Sequence, residues 1–120
     1  MKEIIYNEGQ LIKERLAQIS DYIYRNPELG NEEFKAVEAL TTFLKEHGFE
    51  IECPYAGMQT AFKATFDSGK PGRTVGYICE YDALPEIGHG CGHNMIGVMS
   101  SGAGIALSKV LHKIGGKIIV

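Results

Sequence analysis

The feature that most constrains the fold is a strand–helix–strand pattern in the second half of the chain. Residues 75–79 form a continuous apolar run, and residues 118–120 form another, after two consecutive glycines and Lys117. Between them, residues 94–112 are mostly apolar over the length of a helix and include three glycines, which allow close backbone packing. Two strands joined by a helix in this way form a right-handed parallel crossover. The pattern therefore predicts an α/β fold with a buried crossover helix.

Two helices are predicted upstream. The first lies within residues 8–25 and ends at Asn26 and Pro27, because proline and the residue before it disfavour helix. The second is capped by Asn31 and ends before Gly48, a suitable left-handed C-terminal position. The apolar face of the first helix is formed by Ile12, Leu16, Ile19 and Ile23, and that of the second by Phe34, Val37, Leu40 and Leu44.

The segments between the helices and the crossover predict further strands. Apolar and polar residues alternate over residues 49–53 and again over residues 60–66. Residues 67–72, Asp-Ser-Gly-Lys-Pro-Gly, are a dense turn signal, so we expect residues 60–66 and 73–81 to form an antiparallel hairpin. We also expect the apolar strand within residues 73–81 to be covered on both faces. The predicted fold is thus two helices followed by a mixed sheet.

Composition and charge exclude several classes of partner. A chain that is 44% hydrophobic and 22% charged is typical of one globular domain, here residues 1–120. A net charge of -3 gives no electrostatic reason to bind nucleic acid or a membrane surface. We find no signal peptide and no apolar run of the roughly 20 residues that span a membrane, so we expect a cytoplasmic protein. The three cysteines form no Cys-x-x-Cys pair and predict thiols used singly.

Residues that carry chemistry are concentrated in the loop between the apolar strand and the crossover helix. In α/β folds, ligands bind at this edge of the sheet. Cys91 and His93 stand two positions apart, so in an extended segment both side chains reach the same side of the chain. A thiolate and an imidazole together suit Zn²⁺ or another first-row divalent ion.

Other interpretations of these residues remain open. Cys91 could pack as a small hydrophobic residue while His93 caps the following helix. Asp82 directly follows the strand, where its carboxylate could either hold a ligand imidazole in one tautomer or form a turn. Cys53 and Cys79 fall within strand patterns, and we expect both to lie in the core.

The combined motifs resemble the M20 family of metallo-aminoacylases, carboxypeptidases and dipeptidases. Glu-Tyr-Asp-Ala-Leu-Pro at residues 80–85 is followed by Gly-His-Gly-Cys-Gly-His-Asn at residues 88–94. Residues 26–33 look like the Pro-Glu-Leu-Gly-x-Glu-Glu segment of the family's amidohydrolase branch, which includes aminobenzoyl-glutamate hydrolases and β-alanyl dipeptidase-like proteins. The resemblance covers the whole chain and implies the N-terminal part of a zinc-peptidase-like α/β catalytic domain.

The resemblance also implies a metal centre. Cys91 and His93 would be metal ligands, with Cys91 bridging two ions, and the ions in full-length relatives would be Zn²⁺ or Mn²⁺. Asp82 would be the acid of the site just after the strand, which makes it the candidate catalytic residue. Glu80 stands where other branches carry a metal-binding histidine and Asn94 replaces a common aspartate, so neither is assigned as a ligand.

The function implied by the resemblance is metal-dependent hydrolysis of amide bonds in N-acyl-amino acids or dipeptides by a metal-activated water. The family's general base, its further histidine ligands and its dimerisation domain lie beyond residue 120, and full-length members are often homodimers. We therefore expect this chain to be an inactive fragment of such a hydrolase. Two alternatives are a complete, non-catalytic metal-binding or structural module and a protein with Cys91 as a nucleophile. His89 matches a histidine frequent in the branch, but no role follows for it.

Overall fold

A computed structural model describes all 120 residues as helices packed on a four-stranded sheet. The elements in chain order are α1 (Lys2–Arg25), α2 (Phe34–Glu46), β1 (Glu50–Glu52), β2 (Lys63–Asp67), β3 (Thr74–Gly76), α3 (His93–Ser108), α4 (Leu111–Ile114) and β4 (Lys117–Ile119). This arrangement confirms the predicted α/β class. None of the helices combines the length and apolar composition that crossing a membrane requires.

The sheet order is β1-β2-β4-β3, with β4 antiparallel to β2 and parallel to β3. The predicted parallel pairing around a crossover helix is therefore confirmed, but the predicted hairpin between residues 60–66 and 73–81 is wrong. The turn at residues 67–72 does not pair β2 with β3, because it forms hydrogen bonds to the segment before β4 instead. Ser68 donates its N–H and its hydroxyl to the carbonyl oxygen of Gly116, and the N–H of Gly116 donates to the carbonyl of Lys70. These bonds insert β4 between β2 and β3.

β3 is a short, exposed edge strand, which corrects the expectation of a strand covered on both faces. Val75 is 38% exposed, and Ile78, just beyond the strand, is 79% exposed. An apolar run indicates that a strand can be buried, but its place in the sheet depends on which strand pairs beside it. Here only one side of β3 is paired, with β4.

α1 and α3 pack against each other, and α1 buries the face that its sequence predicts. Ile12, Ile19 and Ile23 are buried and Leu16 packs against the same core. The helix extends to Lys2, further upstream than residues 8–25. On the opposite side of the core, Ile118 of β4 is completely buried. The core therefore lies between the helices and one face of the sheet.

α2 begins later than its sequence predicts. The chain passes through the left-handed region at Asn31, whose φ is 71°, so Asn31 does not cap the helix. The carboxylate of Glu28 serves the helix start instead and accepts hydrogen bonds from the N–H groups of Lys35 and Ala36 at 3.0 and 2.9 Å. Phe34, predicted on the apolar face, lies in the first turn and is 58% exposed. The remaining predicted face is buried, namely Val37, Leu40 and Leu44.

α3 is shorter than the predicted segment 94–112, because the chain leaves the helix after Ser108 and forms the separate turn α4. Its glycines do allow close packing. A Cβ atom at Gly97 would lie 3.2 Å from the carbonyl oxygen of Glu80. This contact sets α3 directly against the segment that enters the candidate site.

The cysteines differ in burial. Cys53 is exposed, so its expected place in the core is wrong, because β1 ends at Glu52 and Cys53 lies beyond the strand. Cys79 is partly buried and packs against the core, with its Sγ 3.4 Å from the carbonyl oxygen of Gly97. Burial raises the pKa of the Cys79 thiol to about 12, which makes it a poor nucleophile.

Candidate metal centre

The candidate site is built around His93, the first residue of α3. Gly92 precedes it with a φ of 82° and turns the loop into the helix. Both ring nitrogens of His93 face carboxylates. Nδ1 lies 2.6 Å from Oδ1 of Asp82, and Nε2 lies 3.1 Å from Oε2 of Glu80. A carboxylate on one ring nitrogen fixes the orientation and the tautomer of an imidazole, as it does for many histidines that bind metals through the other nitrogen.

Cys91 lies beside the same aspartate. Its Sγ is 4.0 Å from the backbone carbonyl oxygen of Asp82, and its side chain is exposed. The structure thus brings Asp82, Cys91 and His93 together. It also disfavours the packing and capping alternatives for the pair, because an exposed Cys91 does not pack in the core and the side chain of His93 does not cap α3.

Backbone hydrogen bonds hold the loop that carries these residues. The N–H of Ala83 donates to the carbonyl of Glu28 at 2.7 Å, and Leu84 and Gly88 form an isolated bridge. Because the Glu28 carboxylate also binds the start of α2, this residue connects α2 to the loop. The sequence marks the segment around Glu28 only by its resemblance to a family motif. Its structural role depends on contacts that no local pattern encodes.

A second set of hydrogen bonds supports the strand side of the site. The hydroxyl of Thr60 donates to the buried carboxylate of Glu33 at 2.5 Å, and the hydroxyl of Tyr81 donates to the carbonyl of Thr60 at 2.5 Å. Burial raises the pKa of the Tyr81 hydroxyl above its usual range, and the nearby side chains of Cys79 and Glu33 add to the effect. The hydroxyl therefore keeps its proton and remains a hydrogen-bond donor. Tyr81 lies between Glu80 and Asp82 in the chain, so these bonds fix the backbone that presents both carboxylates.

His89 is the least satisfied polar residue near the site. It is 7% exposed, and neither ring nitrogen has a hydrogen-bond partner. Burial, followed by the proximity of His93, lowers the pKa of His89 and favours the neutral ring. Asn94 points elsewhere, because its side chain amide donates to the hydroxyl of Ser20 on α1.

The donors present fit part of a metal site. Thiolate and imidazole are typical ligands of Zn²⁺, and Asp82 stands behind His93 as metal-bound histidines require. No group of three or more His, Cys, Asp or Glu residues is placed to hold a metal ion as the side chains stand. Because zinc sites use three or four protein ligands, a metal here needs a further ligand or a movement of the loop.

Comparison with known proteins finds relatives over most of the chain. The chain is 39% identical over 114 residues to Xaa-Arg dipeptidase of Mus musculus, a match that covers 84% of this chain and 25% of the relative. It is 34% identical over 120 residues to one of the subunits of p-aminobenzoyl-glutamate hydrolase of Escherichia coli, covering 86% of this chain and 24% of the relative. The chain belongs to the M20 family.

Solved structures support the fold of this M20 chain. An aminohydrolase from methicillin-resistant Staphylococcus aureus superposes on the whole chain with a TM-score of 0.86 and 25% identity, and the match covers 34% of that protein. Aminobenzoyl-glutamate utilization protein from Klebsiella pneumoniae matches 96% of the chain and 37% of its own length, with a TM-score of 0.75 and 17% identity. No family model matches the chain. The M20 chain spans about a quarter of the length of the two curated relatives.

Proposed function

We propose that residues 1–120 are a portion of one catalytic domain of a metal-dependent hydrolase that cleaves amide bonds in dipeptides or N-acyl-amino acids. The observation that carries the proposal is the position of His93, which begins a helix at the sheet edge and contacts Asp82 through Nδ1. Names of relatives support the substrate class, because Xaa-Arg dipeptidase and p-aminobenzoyl-glutamate hydrolase both denote amide hydrolysis.

In this proposal Cys91 and His93 hold a divalent ion, Zn²⁺ or Mn²⁺, in a centre that has two ions in the complete enzyme. A metal bound there would lower the pKa of a water molecule and polarise the carbonyl of the scissile amide. Asp82 keeps the proton of the imidazole on Nδ1, so that the lone pair of Nε2 is directed toward the ligand position. The bonds of Tyr81 and Thr60 keep Asp82 in place behind the ring.

The alternative with Cys91 as a nucleophile is less well supported. An activated cysteine needs a base within hydrogen-bond distance. The sulfur of Cys91 contacts the carbonyl oxygen of Asp82, whereas the two nitrogens of His93 face Asp82 and Glu80. The imidazole is therefore engaged by carboxylates and makes no hydrogen bond to the thiol.

The metal site is tested by isothermal titration of Zn²⁺ into the chain. We expect weak binding that is lost in Cys91→Ser and His93→Ala, and that weakens as the pH falls because both ligands must be deprotonated. Asp82→Asn should lower the affinity by roughly 10- to 100-fold, since outer partners of metal-bound histidines contribute about that much. Cys53→Ser, which removes an exposed thiol outside the site, is the matched control and should bind like the wild type.

Two results would contradict the proposed site. Zinc binding that survives both Cys91→Ser and His93→Ala would place the ligands elsewhere. Stoichiometric binding at nanomolar strength would mean that a closed set of ligands is already present, which favours the alternative of a structural metal-binding module.

The hydrolase part is tested in a chimera in which this chain replaces the matching segment of the Mus musculus Xaa-Arg dipeptidase. We expect the chimera to hydrolyse an Xaa-Arg dipeptide only with a divalent metal present. His93→Ala in the chimera should lower the rate on the order of 100-fold or more, because a ligand is lost. Full activity after this substitution, or in the presence of a chelator, would contradict metal-dependent catalysis through His93.

A further inference from the structure

The two edges of the sheet differ in how they are protected from pairing with another strand. β1, at one edge, carries Glu50 and Glu52, which are both exposed. Charged side chains of this kind keep natural edge strands from pairing. β3, at the other edge, has no charged residue and no proline, and neither has the segment that follows it up to Cys79. This sequence is typical of a strand that has neighbours on both sides.

The backbone of β3 leaves hydrogen-bonding groups free on its outer side. Within the ladder to β4, the N–H of Tyr77 donates to the carbonyl of Ile119 at 2.8 Å. Because successive residues of a strand direct their backbone groups to alternate sides, those of Thr74 and Gly76 point away from β4, where no strand lies. These groups are available to a further strand.

The helix beside this edge is also apolar on its exposed side. The hydroxyl of Ser100 donates to the carbonyl of Ile78, so α3 lies alongside the segment that follows β3. Met95 and Met99 of α3 are 54% and 65% exposed, and Ile78 is 79% exposed. α3 contains no Asp, Glu, Lys or Arg. A helix that is apolar on all sides is typical of a helix that is buried on all sides.

We propose that the free side of β3 and the exposed side of α3 form one docking surface, made by Val75, Ile78, Met95 and Met99, for a β-strand and a helix from the rest of the catalytic domain. The strand pairs in parallel with β3, and the helix that follows it packs on α3. β3 and β4 already form a parallel pair joined through α3, and parallel strands occur almost only in sheets that helices cover. The inference rests on the proposed function, because it requires a longer hydrolase.

The relatives have enough additional chain to supply this unit. Most of the length of the two curated relatives and of the Staphylococcus aureus aminohydrolase lies outside the matched segment. All four side chains of the docking surface are apolar, which favours a permanent contact inside one domain over an exchangeable partner.

The test compares Ile78→Lys in the isolated chain and in the chimera with the Mus musculus Xaa-Arg dipeptidase. In the isolated chain the lysine remains in water, so the midpoint of urea unfolding should not change. In the chimera the lysine is buried against the docked strand and helix, so we expect the melting temperature to fall by about 5 °C or more. Ile78→Ala, a milder change that keeps the surface apolar, should lower it by a smaller amount.

Leu11→Lys is the matched control for this test. Leu11 is 78% exposed on α1, outside the docking surface. Its substitution should leave both the urea midpoint of the chain and the melting temperature of the chimera nearly unchanged. Equal falls from Leu11→Lys and Ile78→Lys in the chimera would overturn the inference, since the effect would then not depend on this surface.

The remaining outcomes separate this inference from the proposed function. An unchanged melting temperature of the Ile78→Lys chimera would overturn the inference, while metal-dependent hydrolysis by that chimera would leave the proposed function intact. A fall in melting temperature, together with no metal-dependent hydrolysis by the unsubstituted chimera, would support the docking surface and contradict the proposed function. A dimer of the isolated chain in sedimentation that Ile78→Lys converts to a monomer would make a second copy the occupant and overturn the inference.

Discussion

Replacing Gly116 by alanine is expected to lower the free energy of unfolding by about 3 kcal/mol. Gly116 has a φ of 95°, which a residue with a Cβ atom adopts only with strain. The added Cβ would also lie 2.0 Å from the carbonyl oxygen of Arg73, and backbone atoms cannot yield cheaply. Both effects act where the turn before β3 binds the segment before β4, so we expect loss of sheet structure. Urea unfolding followed by circular dichroism measures the change.

Gly69→Ala is the matched control for this prediction. Gly69 lies in the same turn with a φ of 71°, but a Cβ atom there meets nothing within 4 Å. It should cost only the left-handed strain of about 1 to 2 kcal/mol. Equal losses in the two variants would show that the close contact with Arg73 contributes nothing to the cost.

Phe43→Ala should produce a loss of similar or greater size, about 3 to 5 kcal/mol. Phe43 is 2% exposed and is among the largest fully buried side chains of the core. Its ring contacts the imidazole of His47 edge-on, with centroids 4.6 Å apart. Truncation leaves a cavity between α2 and its neighbours that surrounding side chains fill only in part. The free energy of unfolding from urea titration is again the measurement.

Phe34→Ala tests whether burial is the cause of that loss. Phe34 has the same side chain on the same helix but is largely exposed. Its truncation should change the free energy of unfolding by less than about 0.5 kcal/mol. A large effect of Phe34→Ala would mean that its ring has a partner that the exposed surface does not reveal.

The parts of the fold that sequence predicts well are those determined by local periodicity. The buried face of α1 follows from the spacing of Ile12, Ile19 and Ile23, and the left-handed turn at Gly48 from its position after a helix. The parallel crossover follows from two apolar strands on either side of α3. Each of these signals lies within one element or between consecutive elements.

The failed predictions share a different physical cause. The place of β3 at the sheet edge is set by the insertion of β4, and the start of α2 is set by Glu28 from outside the helix. These are contacts between segments distant in sequence, which no local pattern specifies. A turn-rich segment such as residues 67–72 indicates that the chain reverses but not which strand will fill the space beside it.

The candidate site shows the same division. The spacing of Cys91 and His93 and their place after an apolar strand locate the site in the loop before α3. The supporting hydrogen bonds from Glu33 through Thr60 to Tyr81 join segments that are distant in sequence. The sequence of the loop does not predict them. The loop sequence also does not predict the contact between Glu80 and Nε2 of His93. The distance between them depends on how closely α3 packs against the segment that contains Glu80.

The central position of β4 has a consequence for the order in which the chain folds. β2 and β3 touch only through β4, and the pairing of Thr65 with Ile119 joins residues that are far apart in the sequence. Closing so long a loop is entropically costly and slow, whereas α1, α2, β1 and β2 can assemble through nearer contacts. The loop with Cys91 and His93 lies inside the segment that β4 closes. Assembly of this loop should therefore be one of the last events in folding, after the rest of the core has formed.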